Sequence, residues 1–487
     1  MPIFEKAREL ALIHSSAEVI GWDQETYLPA EAAKYRADQL AWLSSRAHEL
    51  ATSAAWKADL DAAEAADPGT DFTHSANLRE LRREFDRSAK LTTELVARDS
   101  MASSLAKHAW ADARKHSDFS RFAPHLETLL GIAREKAERW GYRDEPYDAL
   151  LEGYERATST AAVARLFDTM RPELREIAAM AVEKSKSLAP ELPPGPYPIA
   201  AQQCFNSQVA EGIGFDFKAG RIDTTTHPFC TTLGPHDVRL TTRYMESDFT
   251  SSLFGVLHEA GHGLYEQGVP ADDFGLPSGT AVSLGIHESQ SRLWENHVGR
   301  SQAFWEKWYP VAQQAFPQLR GFLLEKFLPY LWRAEFSPIR VEADEATYDL
   351  HILLRFEIER RMLNGTLKVV DVPAAWNERF RELFGFAPPD DEHGCLQDIH
   401  WSMGGLGYFA TYTLGNINSA QLFAAAREDA TIRSAVDQAD YQPLLAWLRT
   451  SVHHHGSTLD PAKLIEQATG RPPSTADYLQ HLKSRYL

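Results

Sequence analysis

Apolar positions recur at three- and four-residue spacing through most of residues 3 to about 185, as in LALIHSSAEVIGWDQ, YRADQLAWLSSRAHELA, NLRELRREFDRSAKL and AVARLFDTMRPELREIAAMAVEKS. That period predicts amphipathic helices, and Asp67-Pro68-Gly69 and Gly141-Tyr142-Arg143 interrupt it as turns between antiparallel neighbours. Around 186–200 the proline-rich SLAPELPPGPYPIA ends the run and reads as a linker or a wall crossing between lobes. The pattern then changes. In RIDTTTHPFCTTLG and PHDVRLTTRYM, β-branched residues cluster and apolar and polar positions loosely alternate, which predicts a small antiparallel β-sheet. From 248 helical periodicity resumes, with aromatic-rich QAFWEKWYPVAQQAF and LRGFLLEKFLPYLWRAEF, and then IRVEADEATYDLHILLRFEIERRML. The glycine-punctuated DDEHGCLQDIHWSMGGLGYFATYTLGNINSAQLF is dense in polar aromatic residues, unlike an ordinary core helix. The expected class is mainly α in two lobes, about 1–185 and 200–487, forming one bilobal domain.

One stretch carries the chemistry. In DFTSSLFGVLHEAGHGLYEQG, Asp248, Thr250 or Ser251 can cap a helix, Leu253, Phe254, Leu257, Gly261 and Leu264 keep helical spacing, and Gly268 before Pro270 is a stop. His258 and His262 are four residues apart, so their imidazoles project from one face and can share a metal ion. Glu259, rotated by about 100° on the helix, is poorly placed as a ligand but can reach a water at the same ion. A second helical segment, GIHESQSRLWENH, places Glu288 26 positions after His262. Two histidines and a carboxylate from a neighbouring helix make the set of a catalytic zinc with one position open. The plainer readings are packed histidines and an i,i+4 ion pair of Glu288 with Arg292.

Composition adds limits. Hydrophobic residues at 44% and charged residues at 24% are those of a globular protein, and a net charge of −18 argues against nucleic acid or an anionic membrane as partner. Three widely spaced cysteines, Cys204, Cys230 and Cys395, without a CxxC pair fit a reducing, cytoplasmic setting. The charged start MPIFEKARELALIH lacks the apolar run of a signal peptide, and no stretch has the length to span a bilayer. His453, His454 and His455 read as surface residues, Trp294, Trp305 and Trp308 as packed aromatics, and Trp22 and Tyr27 as packed aromatics or cleft lining.

Five ordered segments, HDVRLT at 236–241, HEAGH at 258–262, HESQS at 287–291, IRVEAD at 339–344 and GCLQDIHW at 394–401, resemble the carboxypeptidase Taq family of metallocarboxypeptidases. WDQETYLP, YFATYTLGN and the closing LIEQATGRPPS agree with it, so the resemblance covers nearly the whole chain; Met403 departs from it. The resemblance implies a bilobed helical metallopeptidase fold with a deep central cleft, one Zn2+ per chain on His258, His262 and Glu288, with Co2+ as a substitute, and Glu259 as general base. It also implies homodimers that release single C-terminal residues from peptides with broad tolerance, sparing a terminal proline.

The chemistry asks for two further functions. An oxyanion needs a hydroxyl or imidazole donor, for which His400, Tyr408 and Tyr412 are the candidates. A free α-carboxylate suits an arginine fork, with Arg340 first, against an ion pair to Glu342 or Asp344, and Arg239 second. An endo-acting oligopeptidase on the same scaffold, or a non-catalytic helical binding protein, are the alternatives.

Overall fold

The computed structural model describes residues 1–188 and 191–487, so Ala189 and Pro190 of the proline-rich stretch lie outside the described residues. The chain folds into two compact units, each assembled from separated stretches. The first comprises Met1–Ser88, Pro190–Leu331 and Asn418–Pro473, and the second Ala89–Ala189, Trp332–Ile417 and Ser474–Leu487. Both are mainly helical, and no helix of the described residues is long and apolar enough to cross a membrane.

The N-terminal helices group with the sheet rather than with the rest of the first helical run, for a physical reason that lies in α1 (Pro2–Thr26). Residues of α1 and the Tyr27 that follows it bond the sheet and its connection: Thr231 Oγ1 donates to Glu18 at 2.9 Å, Thr225 Oγ1 to the Glu25 carbonyl at 3.0 Å, and Tyr27 Oη to Asp223 at 2.6 Å. The buried Ile3 and Ala7 of α1 join Trp56, Leu60, Leu78, Leu81 and Leu276 in one apolar cluster.

The sheet has strands β1 (Gly220–Thr224), β2 (Cys230–Gly234) and β3 (Asp237–Thr242) in the order β1-β3-β2. It is mixed rather than purely antiparallel. β2 and β3 form the expected antiparallel hairpin, turned at His236 with φ 62°, but β1 pairs with β3 in parallel, Ile222 opposite Leu240. The connection after β1 carries the chain past the place β3 later fills. It is pinned there by Thr225 N donating to the Thr242 carbonyl and Phe229 N to Thr241 Oγ1.

β3 leads into α2 (Phe249–Glu266), capped by Asp248, whose carboxylate accepts from Thr250 N at 2.8 Å. α2 is buried on most sides. Phe249 lies in an aromatic cluster with Phe316 at 4.6 Å and Tyr197 at 5.2 Å between ring centroids. Trp294 and Trp305 are fully buried and Trp308 nearly so, as packed aromatics. Against α2 lies α3 (Leu284–Arg292), capped by Ser283 and continued by a π-helical turn over Leu293–Val298. His453, expected at the surface, is buried: it packs on the Tyr265 ring of α2 and bonds Gln290 of α3 at 3.0 Å.

In the second unit, α4 (Tyr348–Leu363) is surrounded by packing and buries three charges, Asp349, Arg355 and Glu359. Burial of that kind is tolerated only with partners. Asp349 accepts from Thr413 Oγ1 at 2.6 Å and Asn416 Nδ2 at 3.0 Å on α5 (Ala410–Ala426), and from Tyr478 Oη on α6 (Ala476–Tyr486). Glu359 accepts from Trp401 Nε1 at 2.9 Å, Tyr147 Oη at 3.0 Å and Gly407 N at 3.1 Å. The glycine-rich stretch before α5 is thus fixed from below. Gly407 sits at φ 93°, a conformation that side chains rarely adopt, and a Cβ there would press on the Leu150 backbone at 3.1 Å.

Candidate metal centre and associated residues

His258 and His262 lie one turn apart on α2, and Glu288 faces them from α3. Each offers one ligand atom, and these atoms all lie within 4.8 Å of one another. The Glu288 Oε2 atom is 3.6 Å from His258 Nε2 and 3.5 Å from His262 Nε2. Its other oxygen accepts from Arg292 Nε at 2.7 Å. The i,i+4 pair and the cluster are therefore both real, one carboxylate oxygen serving each.

Glycine makes this approach possible. A Cβ on Gly261, between Glu259 and His262, would stand 2.6 Å from both the Gln290 carbonyl oxygen and Ser291 Cα. The two helices touch backbone to backbone there, which brings Glu288 within reach of the histidines.

The outer ring nitrogens fix the tautomers. His258 Nδ1 is 2.9 Å from Glu295 Oε2, and a carboxylate only accepts, so Nδ1 carries a proton and Nε2 is the nitrogen turned inward, toward Glu288. His262 Nδ1 lies 2.5 Å from His287 Nδ1, whose Nε2 lies 2.8 Å from Glu266 Oε1. Arg292 Nη1 bonds Glu295 Oε2 at 3.2 Å, tying the second carboxylate to the first. Glu295 has no role in the sequence reading, and His287, although it opens the HESQS segment, has none either. Glu295 follows Glu288 by seven residues, two helical turns, and that spacing was its only mark in the sequence.

The site's electrostatics fit a cation. Burial alone would hold His258 neutral, but Glu288 and Glu295 outweigh it and push His258 up to about 9. Burial and the facing His287 hold His262 down at about 4. Glu259 is 6% exposed; burial raises its carboxyl to about 7, with His258 opposing and Glu288 and Glu295 adding to the rise. Two nitrogen donors and one carboxylate oxygen, with surplus negative charge around them, suit a divalent ion of the zinc type.

Arg239 lies on β3 of the same unit. Its Nε and Nη2 donate to the two oxygens of Asp237 at 2.9 Å each, and its guanidinium lies over the Trp22 ring at 4.2 Å. HDVRLT and WDQETYLP therefore meet, with Trp22 buried and Tyr27 exposed.

The second unit gathers the remaining candidates. His400 Nε2 is 3.3 Å from Tyr412 Oη, and Tyr408 packs within 5.3 Å of both rings, at 5.2 Å from His400. Arg340 lies over the Tyr412 ring at 5.0 Å. Its Nε and Nη2 donate to Asp398 Oδ1 at 2.9 and 2.8 Å and its Nη1 to Tyr348 Oη at 2.7 Å, so its partner is Asp398 and not Glu342 or Asp344. Asp398 also accepts from the fully buried Arg355 at 2.7 Å, and although burial opposes it, Arg355 and Arg340 hold its carboxyl far below the usual range. Asp344 instead accepts from Glu335 N and Thr347 Oγ1. Met403 is 43% exposed.

Known proteins resemble this chain along its whole length. The family model for carboxypeptidase Taq (M32) metallopeptidases matches residues 3–486. Thermostable carboxypeptidase 1 of Thermus thermophilus is 39% identical over 99% of this chain and 97% of its own length. The crystal structure of an M32 carboxypeptidase from Deinococcus radiodurans R1 superposes with a TM-score of 0.96 at 38% identity, over 100% of this chain and 98% of that one. Metallocarboxypeptidase 1 of Trypanosoma cruzi gives 0.96 at 33% identity with the same coverage.

Proposed function

The chain belongs to the carboxypeptidase Taq (M32) metallopeptidases, and from that premise we propose that it releases single C-terminal amino acids from peptides with broad side-chain tolerance, sparing a terminal proline. The observation that carries the reading is the convergence of three inward-facing donor atoms within 4.8 Å beside a buried carboxylate. Zn2+ is the proposed ion, one per chain, with Co2+ as a substitute, because a nitrogen, nitrogen, oxygen set accepts either. His258 Nε2, His262 Nε2 and Glu288 Oε2 would hold it. When bound, such an ion supplies Lewis acidity toward water and the scissile carbonyl.

The chain's own residues do the rest. Glu259 takes the water's proton at its carboxylate and hands it to the leaving amine. His400, Tyr408 and Tyr412 are the proposed donors to the oxyanion, Tyr412 and His400 first; their shared hydrogen bond supports that role. Arg340 and Arg239 are the proposed readers of the α-carboxylate. Each guanidinium already holds a carboxylate of its own chain, and the exposure of Asp237 makes Arg239 the easier fork to free. A homodimer in the cytoplasm, acting on peptides with a free C-terminus, completes the proposal.

The test is a product analysis by mass spectrometry on a decapeptide with a free C-terminus and on its C-terminal amide. Exo cleavage gives a ladder of single-residue losses from the acid and almost nothing from the amide. Internal fragments from both would replace this reading with the endo-acting one.

A further inference from the structure

A chain of hydrogen bonds runs outward from His262 in the first unit. His262 Nδ1 faces His287 Nδ1 at 2.5 Å, His287 Nε2 faces Glu266 Oε1 at 2.8 Å, and Glu266 Oε2 accepts from Thr232 Oγ1 at 2.8 Å. One arrangement of protons satisfies all three contacts and also leaves His262 free to bind a metal ion. The Glu266 carboxylate can only accept, so the proton between it and His287 sits on His287 Nε2. With its other nitrogen bare, His287 accepts at Nδ1 from His262 Nδ1–H. His262 Nε2 is left with a free lone pair facing Glu288 Oε2 at 3.5 Å.

We propose that His287, Glu266 and Thr232 form a relay that positions His262 for metal binding and makes strand β2, far outside the HExxH motif in sequence, part of the metal site. The proposal rests on the reading of His262 as a ligand. The two histidine ligands are supported differently. His258 Nδ1 meets the Glu295 carboxylate directly, whereas His262 Nδ1 reaches the Glu266 carboxylate through a second imidazole. The second imidazole is supplied by the residue before Glu288, so the ligand and the support of its neighbour share one turn of α3. Glu266 stands four residues after His262, and therefore one turn further along α2. The relay closes a loop from α2 to α3 and back to α2, and then reaches the sheet.

The outer end can be changed without sealing a void in the core, because Glu266 and Thr232 border a cavity of about 710 Å³. Both are therefore better sites for substitution than His287, whose loss would disturb Glu288.

The experiment measures the Zn2+ dissociation constant of the full-length protein by competition with a chromogenic chelator, together with the melting temperature of the metal-free form. Glu266→Ala should weaken Zn2+ by about 10- to 100-fold, the range usual for loss of an outer partner of a ligand. Glu266→Gln, which keeps an acceptor for His287 Nε2–H, should recover most of that loss, and Thr232→Val should cause a smaller weakening of the same sign. The metal-free melting temperature should stay within a few degrees in all three. An unchanged Zn2+ constant in Glu266→Ala overturns the relay, as does a weakening matched by an equal loss of metal-free stability, which marks a purely structural role. His262→Ala separates the underlying reading. If it binds Zn2+ as the parent does, the ligand assignment fails and the relay with it; if it loses Zn2+ while Glu266→Ala does not, the relay alone fails.

Discussion

Gly261→Ala tests how the site is built, because one methyl group there meets backbone and nothing softer. The added Cβ would lie 2.6 Å from the Gln290 carbonyl oxygen and from Ser291 Cα, about 0.8 Å inside ordinary contact. Neither atom can swing aside as a side chain does, so either α3 retreats or the strain stays. Strain of this kind costs about 1–3 kcal/mol. If α3 retreats by several tenths of an ångström, Glu288 moves with it, while ligand distances tolerate only about 0.2 Å. The same energy then appears as roughly 5- to 150-fold weaker metal binding. Urea unfolding of the metal-free protein and a Zn2+ titration against a chelator capture the two routes, and their combined loss should be at least about 1 kcal/mol. A variant that matches the parent in both would refute the argument that backbone contact at Gly261 sets the ligand spacing.

Three further outcomes follow from the second unit. Burial raises the Glu359 carboxyl to about 7, against the donors Trp401, Gly407 and Tyr147 that favour its charged form. A raised value means that Glu359 supports the fold below its ordinary range and loses that support as pH climbs through about 7. Glu359→Gln should therefore gain stability relative to the parent between pH 5 and 8, by at most about 3 kcal/mol, in urea unfolding at each pH; a constant difference would contradict this. Asp398→Asn leaves buried Arg355 and Arg340 without a charge partner and should cost about 3–5 kcal/mol of unfolding free energy. Tyr412→Phe should lower kcat about 10²- to 10³-fold with little change in KM if its hydroxyl meets the oxyanion, and an unchanged kcat would remove it from the mechanism.

The HExxH helix was legible because both histidines and their backbone period lie within five residues, and Asp248 caps the helix as its side chain suggests. Glu288 was legible as a third donor of the right type on an amphipathic segment. Glu266 and His287 were not, since nothing in the sequence says that α3 crosses α2 at Gly261. The partner of Arg340 was hidden for the same reason: Asp398 lies 58 residues away, while Glu342 and Asp344 look closer only along the chain. Strand composition identified the sheet, but the pairing of β1 with β3 depends on where a five-residue connection crosses. The association of the first 88 residues with the sheet depends on polar contacts of α1 that periodicity does not encode. His453 reads as surface in a run of three histidines, yet Gln290 and Tyr265 enclose it.

In the proposed mechanism His258, His262 and Glu288 hold one divalent ion while Glu259 moves the proton. The most direct measurement pairs metal content with turnover in Glu259→Gln, using a free-acid peptide followed by mass spectrometry. The variant should carry one equivalent of metal per chain, as in the parent, with release of C-terminal residues reduced to near nothing. A variant that keeps the parent's rate, or a parent that keeps its rate after its metal has been stripped by a chelator, would contradict it.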